Sequence, residues 1–293
     1  MHKYQRVILL ILLVISPIFS IALAQTQTIK VMGVRAEVDP ANYYFTALTK
    51  LVLSKTSHLY PNDSMEVINS KGIPQGRLFR FLDNESLDII WSGTNEMREM
   101  QYIPIRIPLT KGMLGYRVLL VHKDNQDKFN QITNESKLKK LIACQGAHWP
   151  DSDILEDNGY TVSRVVHYEA MFQMLNKKRC DYFPRAVFEG KIELVNMHDQ
   201  YPNLVLVEKM LIKYHLPLYF FVSKTDTVLA KRLHEGLIEA TKDGSLIDLL
   251  KSHETTKHIF PLSQWQGSRV FSLINAKLPK KTPLDNQALW INL

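Results

Sequence analysis

The stretch LDIIWSGTNEMREMQYIPIRIPLTKGMLGYRVLLVHK, Leu87 to Lys123, holds two runs that set the chain's architecture. LDIIWSG (Leu87 to Gly93) is short, apolar and β-branched, and it ends on a glycine, as a buried strand does where it runs into a loop. RVLLVH (Arg117 to His122) is a second strand of the same kind.

Upstream of this stretch, IKVMGV (Ile29 to Val34) reads as a strand ending at Gly33. YYFTALTKLVLSKT follows, with Tyr44, Leu48, Leu51 and Val52 at helical spacing and Asp39-Pro40 as its start signal. MEVINS (Met65 to Ser70) is a strand, and Pro74-Gln75-Gly76 opens the short helix GRLFRFLDN. Strand, helix, strand, helix, strand is the order of a parallel sheet wrapped by helices. Downstream the alternation runs again. SKLKKL is a helix, IACQG a strand, SDILEDNGY a helix stopped by Asn158-Gly159, VSRVVHY a strand, EAMFQMLNKK a helix and CDYFPRA a strand. LVLVEK and PLYFFVSK are further strands. TVLAKRLHEGLIEATKDG is an amphipathic helix with Leu229, Leu233, Leu237 and Ala240 on one stripe, and SLIDLLKSH is the last helix. Pro279 and Pro283 interrupt the tail from Leu262 to Leu293, while Trp265, Phe271 and Trp290 are its candidate anchors. The tail is expected to be an ordered extension. Two similar α/β lobes are the expected fold class.

Three stretches together resemble the type II periplasmic solute-binding proteins of the amino-acid-binding kind (family 3). They are the opening segment, IACQGAHWPDSDILEDNGY…VVHYEAMFQMLNKKRCDYFPRAVFEG, and PLYFFVSKTDTVLAKRLHEGLIEATKDGSLIDLL with its Asp-Gly-Ser-Leu turn. The likeness covers about residues 29 to 257. It implies two Rossmann-like lobes joined by two crossing strands, with a ligand held between them and hinge closure around it. The crossings are expected near Leu119 to His122 and Leu218 to Val222. The first lobe would then be 26–119 plus 222–293, with the extension at about 262–293, and the second lobe 120–221.

The resemblance also proposes a binding site. Arg98 matches the family's arginine that clamps a ligand carboxylate, a task suited to a planar fork of donors. Ser92, Gly93 and Thr94 end the strand where the family offers backbone and hydroxyl groups. Trp91 either lines the cleft or belongs to the core. Gly146, Ala147 and His148 occupy the position of an anion cradle whose threonine is missing here, with Trp149 beside them. The amino-acid binders place an aspartate five residues beyond the Asp of the CDYF strand, where it pairs with the ligand ammonium. Five beyond Asp181 is Ala186, and its neighbour is Arg185. The expected ligand is therefore not an ordinary α-amino acid, and it carries an acidic group shared by Arg98 and Arg185. The alternative is internal pairing of Arg185, with Glu189 as partner. Arg35 and Tyr43 are candidates at the cleft entrance, with Glu37 nearby.

The first residues of the chain address it outward. His2, Lys3 and Arg6 form a basic head, VILLILLVISPIFSIALA follows, and Ala22-Leu23-Ala24 closes it. This is the pattern of a secretory signal cleaved after Ala24. A membrane anchor is the alternative, but Pro17 breaks the run near its end. No cysteine follows the apolar run, so a free periplasmic protein is expected, not a lipoprotein. The formal net charge is +7, and losing Lys3 and Arg6 with the leader leaves about +5, with no dense basic block of the nucleic-acid-binding kind. The two cysteines, Cys144 and Cys180, are either a disulfide or a pair of buried thiols. The ten histidines form no tight metal set: HETTKH (His253 to His258) has one residue too many for the two-histidine zinc motif.

The function expected from these residues is capture of a small polar, anionic ligand for transport or sensing. The chain would act as a monomer, without cofactor or metal, and would serve a membrane transporter such as an ABC transporter, or a membrane sensor. Two alternatives stand beside it. One is a dehydratase-like enzyme on the same fold using Glu37, Glu96 or His148 as an acid. The other is a protein-interaction module whose cleft has lost its ligand.

Overall fold

The computed structural model describes residues 27–34, 41–60 and 63–293. The expected export signal, Met1 to Ala24, lies outside the described residues, as do Arg35 and Glu37. Among the described residues no helix is long and apolar enough to cross a membrane.

The first half of the chain forms β1 (Thr28–Met32), α1 (Ala41–Lys55), β2 (Ser64–Ile68), α2 (Gln75–Asp83), β3 (Ile90–Gly93), α3 (Glu96–Gln101) and β4 (Ile103–Ile105). Next come β5 (Tyr116–His122), α4 (Gln126–Asn130), α5 (Glu135–Lys139), β6 (Ile142–Gly146), α6 (Pro150–Asp157), β7 (Thr161–Val165), α7 (Tyr168–Asn176), β8 (Tyr182–Ala186) and α8 (Gly190–Met197). The chain finishes with β9 (Leu204–Leu206), β10 (Met210–Lys213), β11 (Leu218–Val222), α9 (Thr227–Lys242), α10 (Ser245–Ser252) and β12 (Arg269–Ser272).

These strands sort into two bodies. In the first, β1 and β2 pair in parallel, and a single parallel bridge from Val31 to Ile89 joins them to the set β3-β11-β4. α9 covers this body. Its buried stripe includes Leu229, Leu233, Leu237 and Ala240, and Asp226 caps its first turn by accepting from Leu229 N at 2.9 Å. Gly236 lets it approach α1, since a Cβ there would collide with the Val52 carbonyl.

In the second body the strand order is β12-β10-β5-β8-β6-β7, with β9 also beside β5. β6 pairs in parallel with β7 and β8, while β5 is antiparallel to β8, β9 and β10. The strands β5 and β8 are buried along their whole length, which explains why apolar residues dominate them and why Arg117 and Arg185 within them need partners. Cys144 and Cys180 are disulfide-bonded with Cα atoms 5.6 Å apart, tying β6 to the entry of β8.

Strand pairing locates the passages between the bodies differently from the sequence reading. β5 lies wholly in the second sheet and β11 wholly in the first. The chain therefore crosses on residues 106–115 and 214–217, the irregular segments just before those strands, and once more on residues 253–268 between α10 and β12. The tail departs further from expectation. Rather than belonging with the first body, it adds β12 in parallel to β10, held at the ends by Arg269 N to Lys209 O at 2.7 Å and Leu273 N to Lys213 O at 2.7 Å.

Candidate functional site

The loops at the facing ends of the two sheets enclose a cleft of about 500 Å³, including its open mouth. From the first lobe, Ala41, Asn42 and Phe45 of α1, Gln75 of α2 and Trp91, Ser92 and Gly93 of β3 line it. From the second come Arg117 of β5, Trp149, Pro150 and Asp151 at the start of α6, Arg185 of β8, and Glu189.

The second-lobe wall is a buried ionic network. Arg117 Nη2 pairs with Asp151 Oδ1, to which the Tyr214 hydroxyl also donates, and Arg117 Nε donates to that hydroxyl at 2.9 Å. Arg185 makes a two-pronged bond to Glu193, Nε to Oε2 at 2.7 Å and Nη2 to Oε1 at 2.6 Å. Its Nη2 also lies 2.9 Å from Glu189 Oε2, the same oxygen that faces Arg117 Nη1 at 3.7 Å. Glu189 thus links the two pairs. The rings of Trp149 and Phe183 lie 4.9 and 5.0 Å from the Arg185 guanidinium. Burial opposes the Arg185 charge, but Glu189 and Glu193 outweigh it and hold its pKa well above the ordinary value. Nη1 of Arg117 and Nη1 of Arg185 make no hydrogen bond among the described residues.

The first-lobe wall is organised by Arg98, which points at neutral acceptors. Asn95 caps α3 by accepting from Arg98 N at 2.9 Å. Nη1 donates to Ser92 Oγ at 2.7 Å and to Gly93 O at 2.5 Å. Nη2 donates to Gln75 Oε1 at 2.8 Å and, across the cleft, to the His148 carbonyl at 2.7 Å. All four Nη hydrogens are therefore spent on the protein. Burial lowers the Arg98 pKa to about 10, opposed only by the more distant Asp151 and Asp153.

Of the residues expected from the sequence, Trp91, Ser92, Gly93 and Arg185 line the cleft, and Arg98 stands behind it as a bridge between lobes. Trp91 is both wall and core: it is buried, and its indole N–H donates to Asn42 Oδ1 at 2.8 Å. Gly146 makes room for Trp149, because a Cβ there would collide with the indole. Four residues stand elsewhere. Thr94 turns inward to Glu99 Oε1 at 2.8 Å. Ala147 binds through its carbonyl to Arg164 at 3.2 Å. The His148 ring rests outside the cleft lining, against Gly76. Tyr43 lies 58% exposed on the outer face of α1. The internal partner expected for Arg185, Glu189, is present, but Glu193 holds it more closely.

Arg117, Asp151 and Glu193 escaped the sequence reading. A cue existed for the first: Arg117 opens the apolar run RVLLVH, and a charge in a buried strand needs a partner. Asp151 stands directly after Pro150 in the first turn of α6, where a carboxylate suits the helix dipole. Among the described residues no group of three His, Cys, Asp or Glu is placed to hold a metal ion.

No model of a known protein family matches the chain, and no curated protein matches it in sequence. Solved structures do match. A histidine kinase sensor domain with similarity to periplasmic binding proteins aligns at 17% identity and a TM-score of 0.57, over 76% of this chain and 94% of that one. An ancestral arginine-binding protein bound to arginine aligns at 16% and 0.55, over 76% and 96%. The chain has the type II periplasmic-binding-protein fold. The BvgS VFT2 domain of Bordetella pertussis aligns at 13% and 0.57, over 76% and 91%. At these identities the likeness is one of fold.

Proposed function

We propose that this chain is an exported solute-binding module of the type II fold. It closes its lobes on a small polar solute bearing an acidic group and delivers or reports that solute to a membrane transporter or sensor. The observation that carries this reading is the pair of unspent nitrogens, Arg117 Nη1 and Arg185 Nη1, on the second-lobe wall of the cleft. Each guanidinium is fixed through its other nitrogens, so a carboxylate or similar anion would meet donors already in position. Asp151 Oδ2 and Glu189 Oε1 make no hydrogen bond among the described residues and would accept from a hydroxyl or amine on the same solute. Arg117 therefore takes the role that the sequence assigned to Arg98, whose donors are occupied.

Both uses are found among the structural neighbours, one described as a kinase sensor domain and another as the substrate binding protein of an amino acid ABC transporter. The dehydratase alternative finds little support. Glu96 is exposed in the first turn of α3 and the His148 ring lies outside the cleft lining.

The test is thermal unfolding of the mature protein against a panel of organic acids, sugar acids and amino acids. A ligand at 100 times its Kd stabilises by about 2.7 kcal/mol. An acid is expected to do so in the parent and to fail in the charge-balanced variant Arg117→Met with Asp151→Asn. Tight binding of a zwitterionic amino acid that survives this variant and Arg185→Met with Glu193→Gln would overturn the anionic reading. Silence across the panel, with capture of a membrane partner, would favour the interaction module.

A further inference from the structure

The tail ends on the crossings. It is anchored first to the second lobe, by β12 on β10, by Asn158 Nδ2 to Ile274 O at 2.7 Å with Ile274 N returning to Asn158 Oδ1 at 3.1 Å, and by Lys277 near Asp153 and Asp157 at 3.3 and 3.4 Å. From there it runs to the two passages at residues 106–115 and 214–217. On the first passage, Ile291 N donates to Lys111 O at 2.9 Å and Lys111 Nζ donates to Ala288 O at 2.5 Å. The Trp290 ring covers Gly112, which has φ +83 and no room for a Cβ beneath that ring. On the second passage, Trp290 meets His215 edge-on at 6.0 Å, and Asn275 Nδ2 donates to His215 O at 3.0 Å. Trp290 is itself fixed by its indole N–H to Pro283 O at 2.8 Å. The passages also touch each other, with Tyr214 N donating to Gly115 O at 3.0 Å.

A lobe movement in this fold has to be absorbed by dihedral changes in the segments that join the two sheets in the described chain, residues 106–115, 214–217 and, between α10 and β12, 253–268. One aromatic side chain, Trp290, rests on the first two of them. We infer that residues 284–293 act as a strap across the hinge, holding the lobes in the closed arrangement in which Arg98 reaches the His148 carbonyl. Displacing the strap lets the cleft open without any ligand. The inference rests on the reading of the two sheets as lobes that move, and not on the identity of the solute. A strap of this kind links the position of the tail to the fraction of open cleft, because contacts made better in one of two states shift the balance toward it.

The experiment measures inter-lobe distance in the full mature chain. Spin labels are placed through Met100→Cys on α3, 75% exposed, and Val166→Cys after β7, 51% exposed; the native cysteines are bonded to each other and do not compete. Trp290→Ala and a chain ending at Pro283 are expected to raise the open-to-closed ratio roughly tenfold and lengthen the modal distance, with Trp290→Phe restoring most of the parent distribution. Arg98→Ala, which removes the bond across the cleft and leaves the tail intact, is the control. If Arg98→Ala opens the lobes and neither tail variant does, the strap is refuted while the hinge stands. If none of them opens, the moving-lobe reading fails and the strap with it. Should the truncated chain lose its cooperative melting, Trp290→Ala against Trp290→Phe decides the matter alone.

Discussion

The two walls of the cleft bury arginines in opposite ways. On the first-lobe wall Arg98 gives its hydrogens to a hydroxyl, a side-chain amide and two backbone carbonyls. On the second-lobe wall Arg117 and Arg185 give theirs to carboxylates. The consequences for charge differ in sign: Arg98 is pulled down to about 10 by burial, whereas Arg185 is held well above its ordinary value. Neutral acceptors satisfy donors without cancelling charge, and carboxylates do both. The first wall thus spends its cation on joining the lobes. The second wall keeps neutralised cations, each with one guanidinium nitrogen that makes no hydrogen bond among the described residues.

The largest effect that tests this contrast is at Arg185. Arg185→Ala leaves Glu193 buried without its cation, and Glu189 with Arg117 alone, and is expected to destabilise by about 3–5 kcal/mol in urea unfolding. Arg185→Met with Glu193→Gln is expected to recover most of that loss. Equal losses in the single and double variants would mean that packing against Trp149 and Phe183, and not charge pairing, sets the cost. Slightly smaller is the disulfide. Cys144 and Cys180 close a loop with a separation of 36, so replacing both by alanine is expected to cost about 3–4 kcal/mol on the chain-entropy account. Reductant should lower the melting temperature of the parent and leave that of the double variant unchanged. The bridge joins the two strands that lead to Trp149 and Arg185, so its loss is expected to loosen the second wall before the first.

Arg98 comes next. Arg98→Met removes four hydrogen bonds to neutral groups but strands no opposite charge, and about 2 kcal/mol is the expected loss. A loss as large as that of Arg185→Ala would erase the distinction between the walls.

What could be read from the sequence follows the same division. The α9 stripe of Leu229, Leu233 and Leu237 and the glycine-bounded strands were legible because local periodicity carries burial. The strands β10 and β12, four residues each, were not, because each exists through the partner it pairs with. In the site, Arg98 and Arg185 could be picked out by type and position. Their partners could not: Arg98 finds His148 50 positions away, and Arg117 finds Tyr214 97 positions away. A residue's chemistry is written locally, but whether that chemistry is spent on the protein or left for a ligand depends on residues brought in by topology. The exchange of Arg98 for Arg117 as the expected anion partner is an instance of this.

The smallest expected effect lies on the outer side of α6, the helix that carries Asp151 on its cleft side. There Arg164 binds Asp153 at 2.5 Å and Glu156 at 2.6 Å, with Lys277 also near Asp153, all of them about one-third exposed or more. Burial pushes the Asp153 carboxyl up, but Arg164 and Lys277 outweigh it and hold it below the usual range; the hydrogen bond from Arg164 does the same for Glu156. Depressed folded-state values mean that this stabilisation is complete above the unfolded values of about 3.9 and 4.3 and is lost as pH falls through the folded ones. Arg164→Ala is therefore expected to cost under about 1 kcal/mol at pH 7, and the gap from the parent should close in acid and shrink in salt. The Arg185→Ala gap should shrink far less in salt, because the side chains of the Arg185–Glu193 pair are 2% exposed or less. If the two gaps shrank alike in salt, burial could not be what gives the second wall its hold on charge, and the case for preset anion donors in the cleft would fall with it.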